Sequence, residues 1–189
     1  MRKKTSFDLT VPQLQKLEEQ LKDFPEQIPV VAVRAINRAA EASRSAVSKF
    51  VREEYFIGAS NLTGRIKIKK AYQADMVADI YAKDRTISSI NFKVRANKPL
   101  PKKGSYAHLR VKKSSSGGIV KGSFITTVRG RHRNVFTRVT KNRFPLRSLH
   151  SPSVPQMMGH EDGIRVMEET AREVLEKRLE HEVERVLKQ

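Results

Sequence analysis

Nine cations, Lys102, Lys103, Arg110, Lys112, Lys113, Lys121, Arg129, Arg131 and Arg133, stand between residues 102 and 133 with no Asp or Glu among them. They fall mostly in or beside segments that read as hairpin turns, "KPLPKKG", "KSSSGG" and "RGRHRN". Hairpins projecting to one side would gather these charges into a patch able to neutralise phosphates and release counterions. Gly, Ser and Lys with few aromatics suit contact with a backbone and not base stacking, so the expected binding has little sequence preference. Charge alone does not choose between nucleic acid, an acidic protein rim and a solvated surface.

Other residue types with chemical potential amount to less. Asp75, Asp79 and Asp84 are the acids of the basic middle and read as neutralising neighbouring lysines. His150, His160, Glu161 and Asp162 form a loose set whose spacing fits no standard metal motif. The chain has no Cys, so thiolate nucleophiles, thiolate metal sites and disulfides are excluded. "SSSGG" lacks the Lys and following helix of a phosphate cradle. These residues point to a non-enzyme with no cofactor.

Composition agrees. The 189 residues carry a formal charge of +18, a hydrophobic fraction of only 38% and no Trp. Such a chain repels itself when compact and is expected to meet a polyanion or an acidic surface. The charge is uneven: residues 1–57 sum to +2, 58–150 to +19 and 151–189 to −3. No stretch approaches the ~18 apolar residues of a membrane span, and "MRKKTSFDLT" lacks a secretory signal's apolar run. Assembly in the cytoplasm, with no membrane partner, is the expectation.

The elements that position these groups follow from periodicity. "TVPQLQKLEEQLKDF" predicts a short amphipathic helix capped by Thr10, with Leu14, Leu17, Leu21 and Phe24 at helical spacing. A second helix starts near Pro29, with Val33, Ile36, Ala40, Val47 and Val51 on one stripe. From Gly64 the period becomes two, through "RIKIKKA", "DMVADIYA", "SINFKV", "AHLRVKK", "GSFITTV" and "NVFTRVT". That pattern predicts one antiparallel sheet of about five or six strands. The closing segment, Gly163 to Gln189, is a helix whose stripe runs from Ile164 through Met167, Ala171 and Leu175 to Leu187. The fold class is therefore α+β, one structural domain: helices over 1–57, a basic sheet over 58–140, a Pro-rich arm over 141–160 and a helix over 161–189.

The arm, "KNRFPLRSLHSPSVPQMMG", is too apolar for a flexible linker. Prolines stiffen it toward extended conformations and reduce the entropy lost on docking. Phe144, Pro145, Leu146, Leu149, Pro152, Val154, Pro155 and Met157 are its candidate interface residues. Two arrangements are open: an arm lying on a neighbouring subunit, and a strap over the chain's own sheet.

These residues also carry a resemblance. "AVRAINRAAEASRSAVSKFVREEY" followed by "LTGRIKIKKA" resembles the start of the phage minor tail protein Z family. "GSFITTVRGRHRNVFTRV", "FPLRSLHSPSVPQMM" and the closing helix are similar to later family segments in the same order, so the likeness spans residues 28–189. "RSLHSPS" departs from it, because family members often have a Gly before Pro-Ser. The resemblance implies a structural virion protein, acting in tail completion at the head-proximal end of a phage tail. Its implied partners are copies of itself in a ring, expected to be a hexamer, together with the tail terminator, tail tube and head–tail connector proteins. The tape-measure protein end and the genomic DNA end lie nearby in this scheme. The rival from another class is a free-standing, sequence-independent nucleic-acid-binding protein, marked by steeply salt-dependent duplex binding.

Overall fold

The computed structural model describes residues 2–95, 106–128, 130 and 132–188. Two 27-residue helices form its frame, α2 (Ile28–Glu54) and α4 (Glu161–Leu187). They run antiparallel: Arg34 meets Glu182, and further along α2 the Ser43 hydroxyl donates to the Met167 carbonyl, 3.0 Å away. The small side chains of α2 explain the close approach. Ala35, Ile36, Ala39, Ala40, Ser43 and Val47 are all buried, in register with Met167, Ala171 and Leu175 on α4. A shorter helix, α1 (Val11–Gln20), covers the far end of this pair. There Leu17 and Leu21 form a second cluster with Val31, Ala32, Val183 and Val186. Thr10 and Gln13 close a capping box at its start, and Pro12 occupies its first turn, where an amide hydrogen is not needed.

The α+β class and the long C-terminal helix agree with the sequence reading, but the strands are divided among small antiparallel sheets. The first joins β1 (Arg2–Phe7), β2 (Ile66–Lys69) and β3 (Ala78–Lys83) in the order β1-β3-β2, and lies against α2. The short β4 (Ile87–Ser88) is followed by a 3-10 turn over Ser89–Asn91. Next come β5 (Lys93–Arg95), β6 (Ala107–Arg110) and β7 (Gly118–Val120), ordered β5-β6-β7. A hairpin of β8 (Ser123–Val128) and β9 (His132–Arg138) adds β10 (Leu146–Ser148) from the Pro-rich stretch. Finally β11 (His150–Ser151) pairs with β4, and α3 (Val154–Met158) leads into α4.

Two details separate this from a single sheet. Strands of two to four residues bury too little to hold a continuous ladder, so each group is fastened to a helix end or to its neighbour. In addition, the 3-10 turn interrupts "SINFKV" at Ile90, ending one ladder before β5 starts another. β1 was not expected. "RKKTSF" has no apolar alternation of its own and is held by six register pairs with β3, from Arg2↔Lys83 to Phe7↔Ala78.

Candidate docking surfaces

Arg110, Lys112 and Lys113 come together at the C-terminal end of α2, where helix carbonyls lack intrahelical partners and the dipole favours positive charge. The Lys113 ammonium donates to the Arg52 carbonyl at 2.7 Å, and the Lys113 amide donates to Glu54 at 2.7 Å. Lys112 lies over the Tyr55 ring, 5.6 Å from its centroid. Arg110 and Lys93 each stand 4.8 Å from the centroid of Phe56, a cation–π arrangement. The Arg110 guanidinium also donates to the carbonyls of Ser115 and Lys113, at 2.8 and 2.9 Å. Gly117 leaves room for it: a Cβ there would run into the Arg110 side chain and the Leu109 carbonyl, and its φ is +79°. These cations dock the β5-β6-β7 sheet on the helix end. Lys93 was not among the nine, although "YF" at the end of a helix facing alternating basic residues was a usable signal.

The others lie elsewhere. Lys121 is exposed in the β7–β8 turn, and Arg133 is exposed on β9 opposite Thr127. Lys102, Lys103, Arg129 and Arg131 fall outside the described residues.

The Pro-rich stretch divides into two halves. Its first half forms an exposed tip on the β9–β10 connection, with Phe144 58% accessible and Val139, just before the stretch, 51%. Pro145 is exposed too, its carbonyl accepting from the Val139 amide at 3.1 Å. Leu146, Leu149 and Pro152 are half-buried. Leu149 is laced to two elements: its amide donates to Val135, and its carbonyl accepts from Ser89 and from the Asn134 side chain. Beyond it the Ser89 and Ser151 hydroxyls, both buried, meet at 3.0 Å.

The second half is interior. Val154, Pro155, Met157 and Met158 are buried in the main core, with α3 lying against β3 and α4. For Val154, Pro155 and Met157 the strap arrangement is what the structure has: their apolar surface is covered by this chain's own core and is not available to a neighbour. The turn of helix was not expected from three prolines. Its signal was Ser153 followed three residues later by Gln156, whose side-chain oxygen accepts from the Ser153 amide at 2.9 Å, with Pro155 in the first turn.

The acids of the basic middle are each paired. Asp75 meets Lys69 at 3.0 Å, Asp79 meets Lys4 at 3.1 Å, and Asp84 meets Arg65. The hydrogen bond to Asp75 pushes the Lys69 ammonium above its ordinary range. Likewise Lys177 lowers Glu173, Lys70 lowers Glu41, and burial raises the Tyr55 phenol. His150 bonds the Ser148 hydroxyl at 2.9 Å, while His160 occupies the N-cap position of α4 and approaches Asp162 at 3.3 Å. Among the described residues no group of three or more His, Cys, Asp or Glu is placed to hold a metal ion. Nor is any helix among them long and apolar enough to cross a membrane.

A cleft of about 440 Å³ lies between the end of β1, the start of α1 and the α2–α4 seam. Its floor is apolar, with Phe7, Ile36, Ala39, Ala171 and Leu175, and its rim carries Asp8, Glu168, Glu176 and Arg172. A second cleft of about 300 Å³ shares Gln13 and Glu176 with it and continues between α1 and α4.

Against known proteins, the family model described as Prophage minor tail protein Z (GPZ) matches residues 10–189. The chain belongs to the minor tail protein Z family. Searches of curated proteins and of solved structures return no match. As a member of this family the chain is a structural component of a phage tail, located in the virion and in contact with other tail components. Residues 10–189 include all four helices, α1 to α4, and the whole Pro-rich stretch, so the family match covers the interior half and the exposed half alike.

Proposed function

We propose that this minor tail protein completes the tail at its head-proximal end. Copies form a ring there, six-fold to match the tail. The ring prepares the tail for joining to the head and for placement of the genome end. Its neighbours are the tail terminator, the tail tube and the head–tail connector, with the tape-measure end close by. The role is structural and not catalytic.

The observation that carries this reading is the concentration of charge in a tail protein: +19 over residues 58–150, against −3 over 151–189. A component beside the DNA path gains by presenting cations to it, and a sequence-independent contact needs only phosphate neutralisation. We assign the lumen-facing role to the basic turns. Lys112 and Lys113 are poor probes of it, because they also hold the β5-β6-β7 sheet on α2. Charge reversal at Lys102, Lys103, Lys121 and Arg133 is the cleaner test. The expected result is normal incorporation into tails with loss of DNA-end retention. Full infectivity in the four-fold variant would overturn the lumen assignment.

A further inference from the structure

We propose that the tip of the Pro-rich arm inserts into the acidic-rimmed cleft of a second copy of this chain, giving the head-to-tail contact from which a ring closes. The inference rests on the ring reading above and names its interface.

The two surfaces are complementary in apolar character and charge. The tip presents Phe144 and Val139, both more than half exposed, among Arg138, Lys141, Arg143 and Arg147. Residues 85–160 contain no Asp or Glu, and among the described residues none of these four cations is in an ion pair. Arg143 lies over the Phe144 ring, 5.7 Å from its centroid, so charge and aromatic surface arrive together. The cleft has the converse make-up. Its floor is apolar, and Asp8, Glu168 and Glu176 on the rim outnumber Arg172. None of those three carboxylates has a cation within ion-pair distance among the described residues. An aromatic side chain buries roughly 150–250 Å² in such a site, and an anchoring aromatic set in a pocket is the usual centre of an interface.

Both surfaces are open in the single chain, so the tip does not fill its own cleft. Because the two patches differ, the contact is heterologous: each copy offers a tip to one neighbour and a cleft to the other, which closes a ring or extends a filament. Rim charges of opposite sign set the register and exclude the like-charged approach of tip to tip.

Native cysteines are lacking, so the test is clean. Tails are assembled from a mixture of Asn142→Cys chains, size-tagged, and Ser6→Cys chains, then oxidised; Asn142 is exposed in the tip and Ser6 is exposed on the cleft lining, so the Phe144 anchor and the rim carboxylates stay in place. The expected product is a mixed disulfide between tagged and untagged chains. Ser45→Cys, exposed on α2 and absent from the cleft lining, serves as the control partner and should not form it. Equal capture by both partners, or by neither, overturns the proposal. In solution Phe144→Ala should weaken self-association at least about thirty-fold with an unchanged melting temperature. A variant with a dead tip (Phe144→Ala with Arg143→Glu) and one with a dead cleft (Glu168→Arg) should each be monomeric alone and form only 1:1 dimers when mixed. Absence of those dimers also overturns it. The outcomes separate from the placement reading. A head-proximal ring without the disulfide removes this contact and keeps the placement, whereas the disulfide with label elsewhere on the particle does the reverse.

Discussion

Truncating Met157 and Phe144 to alanine, one at a time, tests how the Pro-rich stretch is divided. Met157 is fully buried, on α3 against β3 and the α2–α4 pair. Removing its side chain takes away the transfer energy of the lost atoms and leaves a cavity, a change of about 2–5 kcal/mol for a buried Met. For a chain of this size each kcal/mol moves the melting temperature by about 2–4 °C, so a fall of roughly 4–20 °C is expected. Phe144 is 58% exposed and its ring meets the exposed Arg143 guanidinium, so its truncation should stay within about 0.5 kcal/mol, or roughly 2 °C. Differential scanning calorimetry of the two purified variants beside the parent measures both values in one series. Phe144→Ala melting as early as Met157→Ala would refute the division. So would a Met157→Ala variant that melts with the parent, because the second half would then not be core.

Two further outcomes follow from the same frame. Gly163→Ala should destabilise by about 1–3 kcal/mol despite alanine's better helix propensity, because its Cβ would come within 2.5 Å of the Met158 carbonyl and 3.2 Å of Phe50; Gly58→Ala, which meets only ordinary contacts, is the control in thermal melts. The Lys70 hydrogen bond holds Glu41 below its ordinary value of 4.5, so its contribution is present above that value and is lost as pH falls through the lowered one. Glu41→Gln should therefore narrow the stability gap between pH 7 and pH 3, by less than about 1 kcal/mol at so exposed a site, in denaturant titrations at the two pH values.

The legible parts of this fold are those where one segment's own pattern decides the outcome. Leu17 and Leu21, the Ala35–Val47 face and Met167–Leu175 are buried where helical spacing put them, because each helix has only one apolar stripe to hide. What stayed hidden was decided by partners distant in sequence. β1 is polar except for Phe7 and exists through its pairing with β3. Asp79 breaks the alternation of β3: it is buried with Ala78, Ile80 and Ala82, and Lys4 on the neighbouring strand β1 meets its Oδ2. Val139 continues the period of β9 yet lies past the strand's end, 51% exposed. For the candidate surfaces, residue type identified the basic turns, but not that Arg110, Lys112 and Lys113 serve a helix end. Equally, the prolines marked the arm as rigid, while its separation into core and tip depended on what β3, β4 and β9 leave uncovered.

The most direct test of the central claim is electron microscopy of phage particles carrying a tagged copy of this protein. The expected image has label only at the head-proximal end of the tail, with averaged density there forming a closed ring around the DNA path. Label along the tube or at the distal tip, or particles that assemble and infect without the protein, would contradict the account.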